Sequence, residues 1–133
     1  MDDHPHLLIV EDECSIIEVL VAALETSYRI SSACNVADSI AILRTSHIHV
    51  ALIDHVLPDG RGSEVANVAD ELGVVVIEMS GHPKFRWDLE QSRHLQLFKP
   101  FRLNELLSTL ELALRAGARH PEPAEEVAAG AGG

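Results

Sequence analysis

The chain has 133 residues, 47% hydrophobic and 23% charged, which fits one globular domain with a real core rather than a disordered or membrane-embedded protein. Ten basic against 21 acidic side chains give a formal charge of -11, a balance that repels phosphate backbones and points away from direct nucleic-acid binding. No apolar run approaches the ~20 residues needed to span a bilayer, so a cationic partner or a metal suits this surface better than a nucleic acid or a membrane.

In chain order, strands and helices alternate. The start, Met1 to Pro5, is acidic and lacks the basic segment of a secretory signal, which predicts a cytoplasmic protein. His6 to Val10 reads as an apolar strand, broken at once by Glu11-Asp12-Glu13. Ile16, Ile17, Leu20, Ala23 and Leu24 recur at helical spacing and predict a helix over 14–26. Tyr28 to Ala33 is a second strand, and Val36, Ala37, Ile40, Ala41 and Leu43 predict a second helix capped by Asn35. Cys14 and Cys34 have no metal-site spacing and are expected to be reduced thiols.

The stretch from His49 to Asp54 is a short apolar run of the kind buried on both faces of a parallel sheet. Asp54 closes it. A carboxylate there is costly to desolvate without a cation, although this segment alone also fits a residue that caps or starts a turn. Pro58-Asp59-Gly60 supplies turn chemistry, so the strand delivers Asp54 to a loop edge. Helical spacing over 63–72 ends at Gly73, a C-cap residue. The β-branched run Gly73 to Ile77 predicts a fourth strand ending near Ser80-Gly81. A short helix after Pro83 is expected, then a fifth strand at Leu95 to Phe98. Leu103, Leu106, Leu107, Leu110 and Leu114 mark a last helix of about four turns. Beyond Gly117 the Pro, Glu, Ala and Gly composition is expected to form a flexible tail, giving a domain over 1–116 and a tail over 117–133.

Five strands alternating with helices predict an α/β fold with a parallel sheet, whose ligands gather outside the carboxyl ends of the strands. Glu11 and Asp12 follow the first strand, Asp54 ends the third, Ser80 the fourth, and Lys99 follows the fifth. Crowded carboxylates repel unless a hard cation neutralises them, and magnesium suits carboxylate, water and phosphate oxygens. Lys99 is a point charge for a phosphoryl oxygen, the Ser80 hydroxyl can donate to another, and Asp54 fits a carboxylate nucleophile. Phosphoryl transfer needs mainly positioning and charge neutralisation, and this set supplies both.

The ordered motifs Leu7-Leu8-Ile9-Val10-Glu11-Asp12-Glu13, Asp54 with Leu57-Pro58-Asp59 and Gly62, Met79-Ser80-Gly81, and Lys99-Pro100-Phe101 resemble the receiver domain of two-component response regulators over residues 5–116. The resemblance implies a flavodoxin-like fold of strand order 2-1-3-4-5 with helices on both faces. It implies Asp54 as phosphoacceptor, charged by a phosphohistidine of a sensor histidine kinase or a histidine phosphotransfer protein. Magnesium would be held by Asp12, Asp54 and the backbone carbonyl of Val56, with Glu11 acting through water. Ser80 would be the switch hydroxyl and Lys99 the phosphate contact. The Lys99-Pro100 bond is expected to be cis. The implied role is a stand-alone, non-enzymatic signalling module, monomeric or a weak dimer, that switches a surface for a downstream protein.

The sequence departs from the family pattern in two places. Gln96 stands where the family usually carries an aromatic, so switching is expected to run through the loop after Ser80 and the segment 81–93, which holds Phe85 and Trp87. Glu78 interrupts the fourth strand and is expected to be a solvated strand end. Of the histidines, His47 and His49 are too few for a metal site, His82 is expected near the phosphoryl group, and His55 and His94 are expected at the surface. Two other readings of the scaffold are weaker. A magnesium-dependent phosphohydrolase would place a second aspartate two residues after the nucleophile, where this chain has Val56, and a phosphorylation-independent binding module would have no need of a complete acceptor set.

Overall fold

A computed structural model of the chain describes residues 4–81 and 93–119. The predicted helix after Pro83, and with it His82, Phe85 and Trp87, lies largely outside the described residues. Strand β1 spans His6–Val10, helix α1 Cys14–Leu24, β2 Arg29–Ala33, α2 Val36–Thr45 and β3 Val50–Asp54. A two-strand hairpin follows, β4 at Val56–Leu57 and β5 at Gly60–Arg61, then α3 at Gly62–Glu71, β6 at Val75–Ser80, β7 at Leu95–Phe98 and α4 at Leu103–Arg119.

The main sheet is parallel, with order β2-β1-β3-β6-β7. Counting only its five strands, that is 2-1-3-4-5, the flavodoxin-like order that the motifs imply. Side chains that alternate along each strand feed two cores. Leu7, Ile9, Leu52, Ile77 and Met79 pack with α1 and α4 on one face. Leu8, Val10, Ala51, Ile53 and Val76 pack with α2 and α3 on the other. Both faces are therefore covered, which is why these strands read as continuous apolar runs rather than as alternation.

Local signals set the boundaries. Asn35 caps α2, its Oδ1 accepting from Asp38 N at 2.7 Å. Gly73 takes a φ of +76°, the left-handed value its place after α3 requires. The last helix runs through Gly117 to Arg119 rather than stopping at the expected boundary, with Gly117 against Val75. Leu57, buried in the core with Val36 and Ile53, anchors the hairpin that the turn at Pro58-Asp59 closes. The Lys99-Pro100 bond is cis, as expected.

Candidate functional site

Parallel strands deliver their ends to one edge, and that geometry builds the site. Glu11, directly after β1, is fully buried, with its backbone N donating to Ala33 O of β2 at 3.1 Å. Asp54 closes β3 at the same level, its Oδ1 accepting from His55 N at 3.0 Å. One carboxylate oxygen each from Glu11, Asp12 and Asp54 can be chosen such that all lie within 4.8 Å of one another. Lys99, just past β7, reaches across two strands to this group. Its Nζ lies 2.8 Å from Glu11 Oε1 and 3.4 Å from Asp54 Oδ1.

The charge balance of this group is uneven: among the described residues, the Lys99 ammonium meets two of its three carboxylates. Burial pushes the Asp54 carboxyl up to about 6, Lys99 opposes that shift, and neighbouring Glu11 adds to it. Burial works to lower the Lys99 amine, but its hydrogen bond to Glu11 and the charge of Asp54 prevail and hold it above its ordinary value. Glu11 Oε2 is buried without a hydrogen-bond donor among the described residues. A buried acceptor of this kind is costly unless something positive meets it. Hard oxygen donors with excess negative charge suit magnesium, so the residues present fit that ion.

Ser80 ends β6, is 5% exposed, and its carbonyl accepts from Lys99 N at 2.9 Å, which fixes the lysine's origin beside the serine. Val56 begins the hairpin and is half exposed. All five residues singled out at strand ends thus sit on the carboxyl edge of the sheet, with Val56 in the loop after β3. Gln96 lies on β7 beside Glu78 in the register and lines a cavity of about 580 Å³ with Phe98, Asn104 and Thr109.

Three expectations are corrected. Glu78 is no solvated strand end: its side chain is 18% exposed and meets His94 Nδ1. Nor is His94 a free surface residue, since its Nε2 lies 3.0 Å from both carboxylate oxygens of Asp70 on α3. The parallel register sets Glu78 beside Gln96, which brings the residue preceding β7 within reach, and an imidazole between two carboxylates offsets the desolvation of a partly buried glutamate. His55 is likewise partly buried. His47 and His49 contact each other edge to face, with centroids 4.7 Å apart, and His49 Nδ1 accepts from His6 N at 2.9 Å. Among the described residues, Glu11, Asp12 and Asp54 are the group of three or more that could hold a metal.

A family model for the response regulator receiver domain matches residues 7–111. The chain belongs to the response regulator receiver family. Among curated proteins, the probable transcriptional regulator ycf27 of Cyanidium caldarium is 30% identical over 115 residues, covering 83% of this chain and 46% of that protein, so the chain spans about half the length of that relative. Solved structures agree on the fold. A response regulator receiver domain protein of Methanospirillum hungatei is 22% identical, with a TM-score of 0.78 over 88% of this chain and 98% of that one. The signal receiver domain of an HD domain-containing protein of Pseudomonas fluorescens is 20% identical, with a TM-score of 0.80 over 90% and 93%. Receiver domains of this family are signalling modules. No helix among the described residues is long and apolar enough to cross a membrane.

Proposed function

We propose that this receiver takes a phosphoryl group from a phosphohistidine, of a sensor histidine kinase or a histidine phosphotransfer protein, onto Asp54. The observation that carries this reading is the meeting of Glu11, Asp12, Asp54 and Lys99 at one sheet edge in a member of the receiver family. An Asp54 carboxylate oxygen forms the new O–P bond as the N–P bond of the donor breaks, and the departing imidazole keeps the electron pair. Lys99 balances charge on a phosphoryl oxygen and Ser80 donates a hydrogen bond to another. Asp12, Asp54 and the Val56 carbonyl would hold magnesium, with Glu11 through water. The ion neutralises developing charge on the phosphoryl oxygens when bound.

The reaction is one self-phosphorylation per charging event, not turnover of a separate substrate, and its product switches a surface for a downstream protein. The working unit is the domain proposed over 1–116, whose last helix continues through Gly117 to Arg119. A cytoplasmic location fits the exposed, unpaired Cys14 and Cys34. The test is incubation with acetyl phosphate, followed by intact-mass measurement. A gain of one phosphoryl group that needs magnesium supports the reading. A gain that persists in Asp54→Asn, or that ignores a chelator, overturns it.

A further inference from the structure

The first amides of an α-helix lack acceptors within the helix and must find them elsewhere. In α2 they find them in two places. Asn35 serves locally, its Oδ1 accepting from Asp38 N at 2.7 Å and its carbonyl from Ser39 N at 3.2 Å. The two preceding amides are served from far along the chain. Val36 N donates to Asp59 Oδ1 at 2.6 Å and Ala37 N donates to Asp59 Oδ2 at 3.1 Å. Both oxygens of one carboxylate are thus engaged by the positive end of a helix, and these amide bonds, Val36 first, hold the Asp59 carboxyl below its ordinary range.

Asp59 sits at the turn of the hairpin whose first residue is Val56. Following the contacts outward from it closes a circuit. Glu11 N is tied to Ala33 O at the end of β2. The chain runs from Ala33 through Cys34 and Asn35 into α2, the amino end of α2 holds Asp59, and the hairpin returns to Val56 and Asp54. Gly62 N, donating to His55 O at 2.9 Å, fastens the far side of the same loop. The loops that carry Glu11 and Asp12, the entry to α2, and Asp54 with Val56 are therefore linked through one exposed carboxylate that lies outside the metal-competent group.

We infer that Asp59 is a positioning residue for magnesium: by clamping the hairpin to the amino end of α2, it sets the Val56 carbonyl and Asp54 against Glu11 and Asp12. The inference rests on the magnesium reading above. Magnesium requires near-octahedral geometry at short distances, so a loop that must be ordered on binding loses affinity. Outer residues that orient metal ligands typically cost about 10- to 100-fold in affinity when removed.

The test compares magnesium affinity, by calorimetry on the full chain, in the parent, Asp59→Ala, Asp59→Asn and Asn35→Ala. Asn35→Ala removes a cap from the same helix while leaving the hairpin clamp in place, and it serves as the control for helix stability. The expected result is a loss on the order of tenfold in Asp59→Ala, a smaller loss in Asp59→Asn, which keeps one acceptor oxygen, and an unchanged affinity in Asn35→Ala. Amide exchange at Val36 and Ala37 should rise in Asp59→Ala, reporting the released clamp without any metal. Equal losses in Asp59→Ala and Asn35→Ala would overturn the inference in favour of helix stability, and equal losses in the two Asp59 variants would overturn it in favour of bare charge. An Asp59→Ala protein with parental affinity would overturn it outright. A parent that bound no magnesium would instead bring down the underlying metal reading, a failure the calorimetry separates from the others.

Discussion

A Cβ built on Gly62 would fall 2.1 Å from the backbone carbonyl oxygen of Asp54. Helix α3 therefore starts in direct contact with the Asp54 backbone, at a separation only glycine permits. Gly62→Ala is expected to push α3 outward and to cost about 1–3 kcal/mol, as overpacking does. Gly117→Ala is the contrast, because its Cβ would meet Val75 at 3.4 Å, an ordinary contact, within a helix. That variant is expected to gain roughly 0.5–1 kcal/mol. Urea unfolding of both variants reads the opposite signs directly.

Lys99 is the cation that Glu11 and Asp54 share. Replacing it with methionine leaves the fully buried Glu11 charge uncompensated, and the expected loss is about 3–5 kcal/mol. Magnesium should restore part of that loss. An unfolding midpoint indifferent to the ion in Lys99→Met would contradict the charge argument.

Asp54→Asn is expected to do the reverse. Burial and Glu11 hold the Asp54 carboxyl up near 6, so ionising it in the folded state costs free energy at neutral pH. Removing the charge should stabilise the magnesium-free protein by about 1–3 kcal/mol and abolish phosphoryl acceptance. The gain should shrink as magnesium is added to both proteins, since the ion relieves the same repulsion in the parent.

Much of this was legible from residues alone, for identifiable reasons. The runs Leu7 to Val10 and Val50 to Ile53 are buried on both faces, so their apolar content marked strands, and parallel topology then placed Glu11, Asp12, Asp54, Ser80 and Lys99 at one edge. The β4–β5 hairpin shows in the sequence only as a turn, because two-residue strands carry no periodicity. Asp59 read as turn chemistry, since its helix partners lie 22 and 23 residues away and nothing local announces them. The Glu78–His94 pairing is hidden for a similar cause: it depends on the β6–β7 register and on the packing of α3, neither of which a single segment encodes.

That cluster gives a pH dependence with a definite sign. The hydrogen bond to Glu78, opposed by burial and reinforced by Asp70, raises the His94 pKa above its ordinary 6.5. A group whose folded pKa is raised contributes its stability fully below the unfolded value and loses it as pH rises through the folded value. The parent should therefore lose stability relative to His94→Gln as pH is taken from about 6 upward through the raised pKa. His6, held below its ordinary value mainly by burial, works in the opposite sense and is common to both proteins. Urea unfolding across this range, taken as parent minus variant, isolates His94, and a flat difference would contradict the assignment.

In the phosphotransfer proposed for this receiver, Asp54 itself carries the phosphoryl group. Borohydride reduction of the phosphorylated chain, followed by peptide mass mapping, tests it most directly, because the reagent converts an aspartyl phosphate to homoserine and marks the residue that held it. Homoserine is expected at Asp54, and only when magnesium was present. Homoserine at Asp12 or Asp59 with Asp54 intact would contradict it.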